Sequence, residues 1–293
     1  MKGLSWAHLG APPAFDPHRK FVSSPLLSPA ALAAVRLLLA LYALCAIATD
    51  LAFDVALGAG HSFLSYFTIL SYIGLTAYYW AAAVQTLAYA RYGRYPLQRW
   101  PKPLQALHVL LQSTVVTFPF IVTIVFWVLL ADATTFATRY DAWSNISIHA
   151  LNSALALFEL LLTNAPPAPW PALPLQILFL CAYLAVAYIT FHTQGFYPYP
   201  FLNPSPHPAL LAGYILGIAA GACAVFLLAR AIAVLRQRLA IRYSLLPSLD
   251  DAPPAEAIDE WEAVEVVRPG AGGAGAGNSK EGVRVVEGEA GAV

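Results

Sequence analysis

Six runs of apolar residues, near 30–53, 64–90, 104–130, 146–164, 172–192 and 208–234, dominate this chain of 293 residues. A helix rises 1.5 Å per residue, so about 20 residues cross the roughly 30 Å of hydrocarbon in a bilayer. Only 11% of the residues are charged and 59% are hydrophobic, about half the charge of a soluble domain. The expected fold is therefore all-α: a polytopic membrane protein with a bundle of six transmembrane helices. The run at 146–164 is the weakest, because His149, Asn152 and Glu159 interrupt it.

A net charge of zero hides an asymmetry. From Ser244 onward there are ten acids against three bases, which leaves thirteen bases and six acids in the body. Basic residues of short loops stay on the cytoplasmic side. Lys2, Arg19 and Lys20 precede the first run, Arg91, Arg94, Arg99 and Lys102 follow the second, and Arg230, Arg236, Arg238 and Arg242 follow or end the sixth. All mark one side, whereas the opposite loops hold Arg139 beside Asp54, Asp132 and Asp141. Both termini are thus expected in the cytoplasm, with the bundle in an endomembrane such as the endoplasmic reticulum or in the plasma membrane. Ala46-Ile47-Ala48 has the small residues of a signal cleavage site, but its apolar run starts late and is too long.

Three segments follow: a Pro-rich cytosolic lead-in at 1–29, a transmembrane domain at 30–243, and a tail at 244–293. The tail is acidic and rich in Gly and Ala, too poor in apolar residues to offset chain entropy, and is expected to be disordered. Glu260-Trp261-Glu262 within it reads as solvated tail before it reads as a docking motif. Cys45, Cys181 and Cys223 lie in apolar runs without paired spacing and read as small buried hydrophobes. No two histidines sit within four residues of each other, as a di-iron oxygenase would need, and His108 lacks the partner of a haem-binding pair. His61, His149, His192 and His207 share the outer side, where scattered loop histidines read as solvated rather than as a metal site. No metal or cofactor is expected. The expected partners are membrane lipids and a lipid ester, not nucleic acid.

Polar groups inside a span face the bundle interior or a wet cavity. Asn145, His149, Asn152, Ala156, Glu159 and Thr163 are spaced to share one helix face. Thr68, Tyr72 and Thr76 form a seam on the second span, and His108, Gln112 and Thr123 one on the third. Three seams point either to one shared cavity, supported by Asn145, Asn152, Glu159, Tyr72 and Gln112, or to hydrogen-bonded packing between helices. Glu159 near mid-span also admits a small transporter or lipid-binding sensor, although no internal repeat of the transporter kind is visible.

Depth selects one pair. With spans two and four both running inward, Thr68 and His149 each lie within roughly 6 Å of the outer interface. A threonine hydroxyl becomes a nucleophile when an adjacent base takes its proton, and histidine is the usual base. From periodicity alone His149 reads first as a hydrogen-bonded cap of its seam, with the base role beside it.

The pieces Tyr66-Phe67-Thr68-Ile69-Leu70, Phe126-Trp127, Trp143-Ser144-Asn145-Ile146-Ser147-Ile148-His149 and Tyr199-Pro200-Phe201-Leu202 resemble the androgen-induced protein family, which includes the androgen-dependent TFPI-regulating protein. Similarity to rolling-stone proteins is looser. The resemblance covers about 30 to 235. It implies an intramembrane threonine hydrolase of fatty acid esters of hydroxy fatty acids, with Thr68 as nucleophile and His149 as base; beside that pair, Asn145 or Asn152 is expected to orient the histidine or bond the oxyanion. The family often carries a second histidine directly after the asparagine, where this chain has Ile146.

Overall fold

A computed structural model describes residues 5–205 and 208–243. Six of its helical stretches are long and apolar enough to cross a membrane: Pro29–Ala56, Phe67–Tyr92, Lys102–Leu130, Arg139–Leu162, Ala172–Gln194 and Pro208–Arg242. No strand occurs among the described residues. The chain is an all-helical integral membrane protein. Lys2, His207 and the acidic tail at 244–293 lie outside the described residues.

Local chemistry explains where the helices start, stop and break. Helix α1, Pro29–Ala56, begins where the Ser28 hydroxyl accepts the Ala31 N–H at 3.3 Å and a proline takes the first helical position, which needs no N–H. Helix α2, Phe67–Tyr92, stops at Gly93, whose φ of 67° closes the last turn in the left-handed region. The third span is broken into α3, Lys102–Val115, and α4, Phe118–Val125, with a π turn at Phe126–Leu130. Pro119 is the reason, since a proline ring lacks the donor and crowds the carbonyl four residues earlier. At the break, the Thr117 hydroxyl lies 2.8 Å from both the Ser113 carbonyl and Gln176 Oε1.

The fourth span starts at Arg139, earlier than its apolar run, because Thr138 and Asp141 cap its first turn reciprocally. It consists of α5, Arg139–Ile146, a second π turn at Ser147–Leu151, and α6, Asn152–Leu162. Helices α7, Ala172–Gln194, and α8, Pro208–Arg242, complete the bundle. The polar faces read from spacing point inward: Thr68, Tyr72, Thr76, His108, Gln112, His149, Asn152 and Glu159 are all buried. The cysteines depart from expectation, for Cys45 and Cys181 are exposed and Cys223 is half-buried. A cysteine on a lipid-facing stripe meets hydrocarbon and needs no protein neighbour.

The strongest polar contact lies in the bundle core. Arg36 of α1 pairs with Glu159 of α6 through two parallel bonds, Nε to Oε1 at 2.9 Å and Nη2 to Oε2 at 2.7 Å, with both side chains 0% exposed. The Tyr78 hydroxyl donates to Glu159 Oε2 at 3.0 Å. Arg36 Nη1 donates to the Thr86 hydroxyl at 2.6 Å and to the Phe21 carbonyl at 2.8 Å. A fork-to-fork pair with its remaining donors satisfied is the geometry in which a buried charge pair recovers its desolvation cost. Glu159 is therefore closed inside this cluster and does not line the wet pathway a transporter would need.

The Phe21 contact ties in the chain before α1. Its prolines prevent a long helix, yet segment 5–28 packs across the end that carries the arginine-rich loops. Ala11, Phe15, Phe21 and Val22 bury against Tyr95, Leu97, Ala106 and Val109. Gly10 has a φ of 84°, and a Cβ there would stand 2.7 Å from Val109 Cγ1, so only glycine permits this approach. Lys102 Nζ donates to the carbonyls of Pro12 and Pro13 at 2.5 and 2.9 Å. Asp16 accepts from the N–H groups of Lys20 and Phe21 and from the Tyr95 hydroxyl. Burial raises its carboxyl above the usual range despite those bonds.

Removing one member of the central pair strands a buried charge, which costs about 3–5 kcal/mol, whereas replacing both by apolar residues is often close to neutral. Arg36→Met and Glu159→Leu alone are each expected to destabilise the detergent-solubilised protein by that amount, and the double variant to recover most of it. Thermal unfolding measures this, and additive losses would contradict the coupling.

Candidate functional site

Thr68 sits in the first turn of α2, where backbone N–H groups have no partner within the helix. Its N–H donates to the Tyr199 hydroxyl at 3.3 Å, and its own hydroxyl lies 3.3 Å from the same oxygen. Tyr199 belongs to the connection between α7 and α8. Its ring stacks on Phe201 with centroids 5.3 Å apart and meets Tyr66 edge-on at 6.0 Å. Span five is bound to the start of span two by Tyr183, which donates to the Ser65 carbonyl at 3.2 Å, and by Thr190, which donates to Ser65 Oγ at 3.0 Å.

Thr68 and Tyr199 line a cavity walled by spans two, three, five and six, holding about 820 Å³ of atom-free space with its open mouth included. Ile121, Val125, Phe126, Ile177, Leu180 and Ile218 are among the apolar side chains of its wall. Among the described lining residues only Thr68, Tyr183, Tyr199 and Cys181 carry a polar side-chain group. Such a chamber suits an alkyl chain with one polar centre, held near the Thr68 hydroxyl.

His149 reaches this chamber through Phe126. The two rings stack with centroids 3.6 Å apart and planes within 9°, and Phe126 is part of the cavity wall. No hydrogen bond joins Thr68 to His149 among the described residues. His149 Nδ1 is buried and meets no partner within hydrogen-bond geometry among the described residues. The histidine lies in the π turn Ser147–Leu151, which faces the other π turn, Phe126–Leu130. A π turn shifts the ladder by one residue and is frequent at functional sites. Here the Ser153 N–H, which an unbroken α-helix would aim at the His149 carbonyl, donates to Asn152 Oδ1 at 2.6 Å. Trp127 Nε1 takes that carbonyl at 3.1 Å.

The remaining expected residues fall elsewhere. Asn145 Nδ2 donates to the Thr135 carbonyl at 3.0 Å, and Asn152 Nδ2 to the Pro119 carbonyl at 3.4 Å, so neither amide holds the histidine. Tyr72 is buried in the core formed by α1 and α2. Gln112 lines a small cleft near Arg230 and Arg236, and its Oε1 has no partner. None of these, nor Glu159, lines the cavity that holds Thr68. The cavity is apolar, and the seams follow the packing alternative, closing on one another and on backbone, as Thr123 does on Asn152 at 3.1 Å and Tyr79 on the Leu155 carbonyl at 2.7 Å. Two residues that spacing could not reach are Tyr199 and Phe126. Both stand in short pieces whose only signal was resemblance.

A family model described as FAR-17a/AIG1-like protein matches residues 31–233. No curated protein and no solved structure matches the chain.

Trp127→Phe keeps an aromatic ring against Phe136 and removes the indole N–H from the His149 carbonyl. Losing that hydrogen bond is expected to cost about 0.5–1.5 kcal/mol. Thermal unfolding of the purified variant reads the loss, and a midpoint equal to that of the parent would mean the π turn does not depend on this bond.

Proposed function

The chain belongs to the FAR-17a/AIG1-like family, and on that premise we propose that it is an intramembrane hydrolase of lipid esters, such as fatty acid esters of hydroxy fatty acids. The observation that carries this reading is the position of Thr68, the nucleophile, beside Tyr199 in the wall of an apolar chamber between the spans. The acyl chain lies along Ile121, Val125 and Ile218, and the ester carbonyl stops beside the Thr68 hydroxyl.

The Thr68 oxygen attacks the carbonyl carbon as its proton passes to His149, directly or through one water. Collapse of the tetrahedral species breaks the ester bond, and the departing alkoxide takes the proton from His149. Water then attacks the acyl-threonine with His149 again as base, which releases the fatty acid and restores the hydroxyl. The unpartnered Nδ1 and the place of His149 in a π turn against the cavity wall support this role.

A second reading, lipid binding without turnover, draws on the contact Thr68 makes with Tyr199 instead of His149. The transport version of that reading rested on Glu159, which is closed inside its pair with Arg36.

A fluorophosphonate probe separates the readings. Purified protein is expected to label, Thr68→Ala to abolish labelling, and His149→Ala to slow it by about 10²–10⁴-fold, the usual contribution of a general base. Labelling that neither substitution changes would overturn the mechanism.

A further inference from the structure

The cavity holds few groups able to stabilise the oxyanion that forms when Thr68 attacks an ester, so each can be followed to its partner. Asn145 and Asn152, the amides expected there, are spent on the carbonyls of Thr135 and Pro119. Tyr183 lines the cavity, but its hydroxyl donates to the Ser65 carbonyl at 3.2 Å. Tyr199 differs. Its oxygen accepts the Thr68 N–H at 3.3 Å, which occupies a lone pair and leaves its proton to be donated elsewhere. Thr68 Oγ1, the attacking oxygen itself, also lies 3.3 Å from that hydroxyl, and Tyr183, whose ring stands 6.0 Å from that of Tyr199, interacts with it from the acceptor side.

We propose that Tyr199 is a catalytic residue, the hydrogen-bond donor to the carbonyl oxygen of the ester as Thr68 adds to it. The inference rests on the reading of Thr68 as nucleophile. As the new C–O bond forms, the carbonyl π pair moves onto oxygen, and the Tyr199 O–H turns from Thr68 Oγ1 to that oxygen. Tyr199 keeps its proton throughout; the pair returns to the carbonyl when the alkoxide leaves, and the proton of Thr68 travels by way of His149. Ring contacts on Phe201 and Tyr66 fix the direction of the phenol, so the donor is set before the charge develops, the condition under which such a group contributes most. Burial also pushes the phenol above its ordinary value, so it remains a donor at neutral pH.

The test uses the full chain in detergent micelles with 4-methylumbelliferyl oleate as the ester, comparing parent, Thr68→Ala and Tyr199→Phe. Loss of one oxyanion donor is expected to lower kcat by about 10²–10³-fold with KM within about two-fold of the parent. Parent-like kcat in Tyr199→Phe beside an inactive Thr68→Ala would overturn this inference alone. So would a change confined to KM, which would make Tyr199 part of the acyl wall. Full activity in Thr68→Ala would instead remove the reading beneath it. Should Tyr199→Phe fail to fold, 3,5-difluorotyrosine at position 199 keeps the ring and hydroxyl while making the phenol more acidic. It is expected to move the alkaline limb of the kcat profile to lower pH, and an unmoved limb would overturn the proposal.

Discussion

The bidentate pair of Arg36 and Glu159 fixes how the first, second and fourth spans meet. Within hydrocarbon an unpaired guanidinium or carboxylate costs too much to tolerate, so these helices find a register that brings the two side chains to one depth. Tyr78 and Thr86 of α2 then complete the donors and acceptors, and the Phe21 carbonyl draws in the segment before α1. That single polar knot explains why a proline-rich stretch with no long helix of its own is built into the bundle. It also sets Leu155, one turn from Glu159, against the tyrosines of α2, and so orients the helix that carries His149.

From that fixed half, the opposite half of the molecule is looser in construction. Pro119 breaks the third span, π turns interrupt the third and fourth, and the wall between spans two, three, five and six stays apolar and open. These irregularities leave backbone groups that side chains must satisfy: Trp127 for the His149 carbonyl, Asn152 for the Ser153 N–H and the Pro119 carbonyl, Tyr199 for the Thr68 N–H. The polar residues near the chamber therefore serve the backbone first. What is left over chemically, a threonine hydroxyl, a phenol proton and an imidazole without a hydrogen bond at Nδ1, is a short set suited to acyl transfer.

Spacing and hydropathy made the spans and their inward faces readable, because hydrocarbon length and the cost of buried polar groups act on local sequence. Thr68, His149, Asn152 and Glu159 are inside as their periodicity requires. Partnerships across helices were harder to read. Arg36 lies seven residues into the first span and Glu159 three from the end of the fourth, closer to that end than the mid-span position its apolar run suggested, so opposite charges toward the same side offered a clue that the seam of Glu159 alone did not. The π turns, the chamber and the contact between Thr68 and Tyr199 depend on how spans two, three, five and six pack, which no local pattern encodes. The amides show the limit from the other side: Asn145 and Asn152 stand at the right spacing beside His149, yet nearer backbone carbonyls claim them.

The central claim is that the Thr68 oxygen becomes esterified during turnover. The direct measurement is peptide mass mapping of the protein quenched in acid during hydrolysis of a long-chain ester. The account predicts an added acyl mass on the peptide that contains Thr68, absent from Thr68→Ser only if serine deacylates faster and always absent from Thr68→Ala. Turnover with no acyl mass at Thr68, or with the acyl group on another residue, would contradict it.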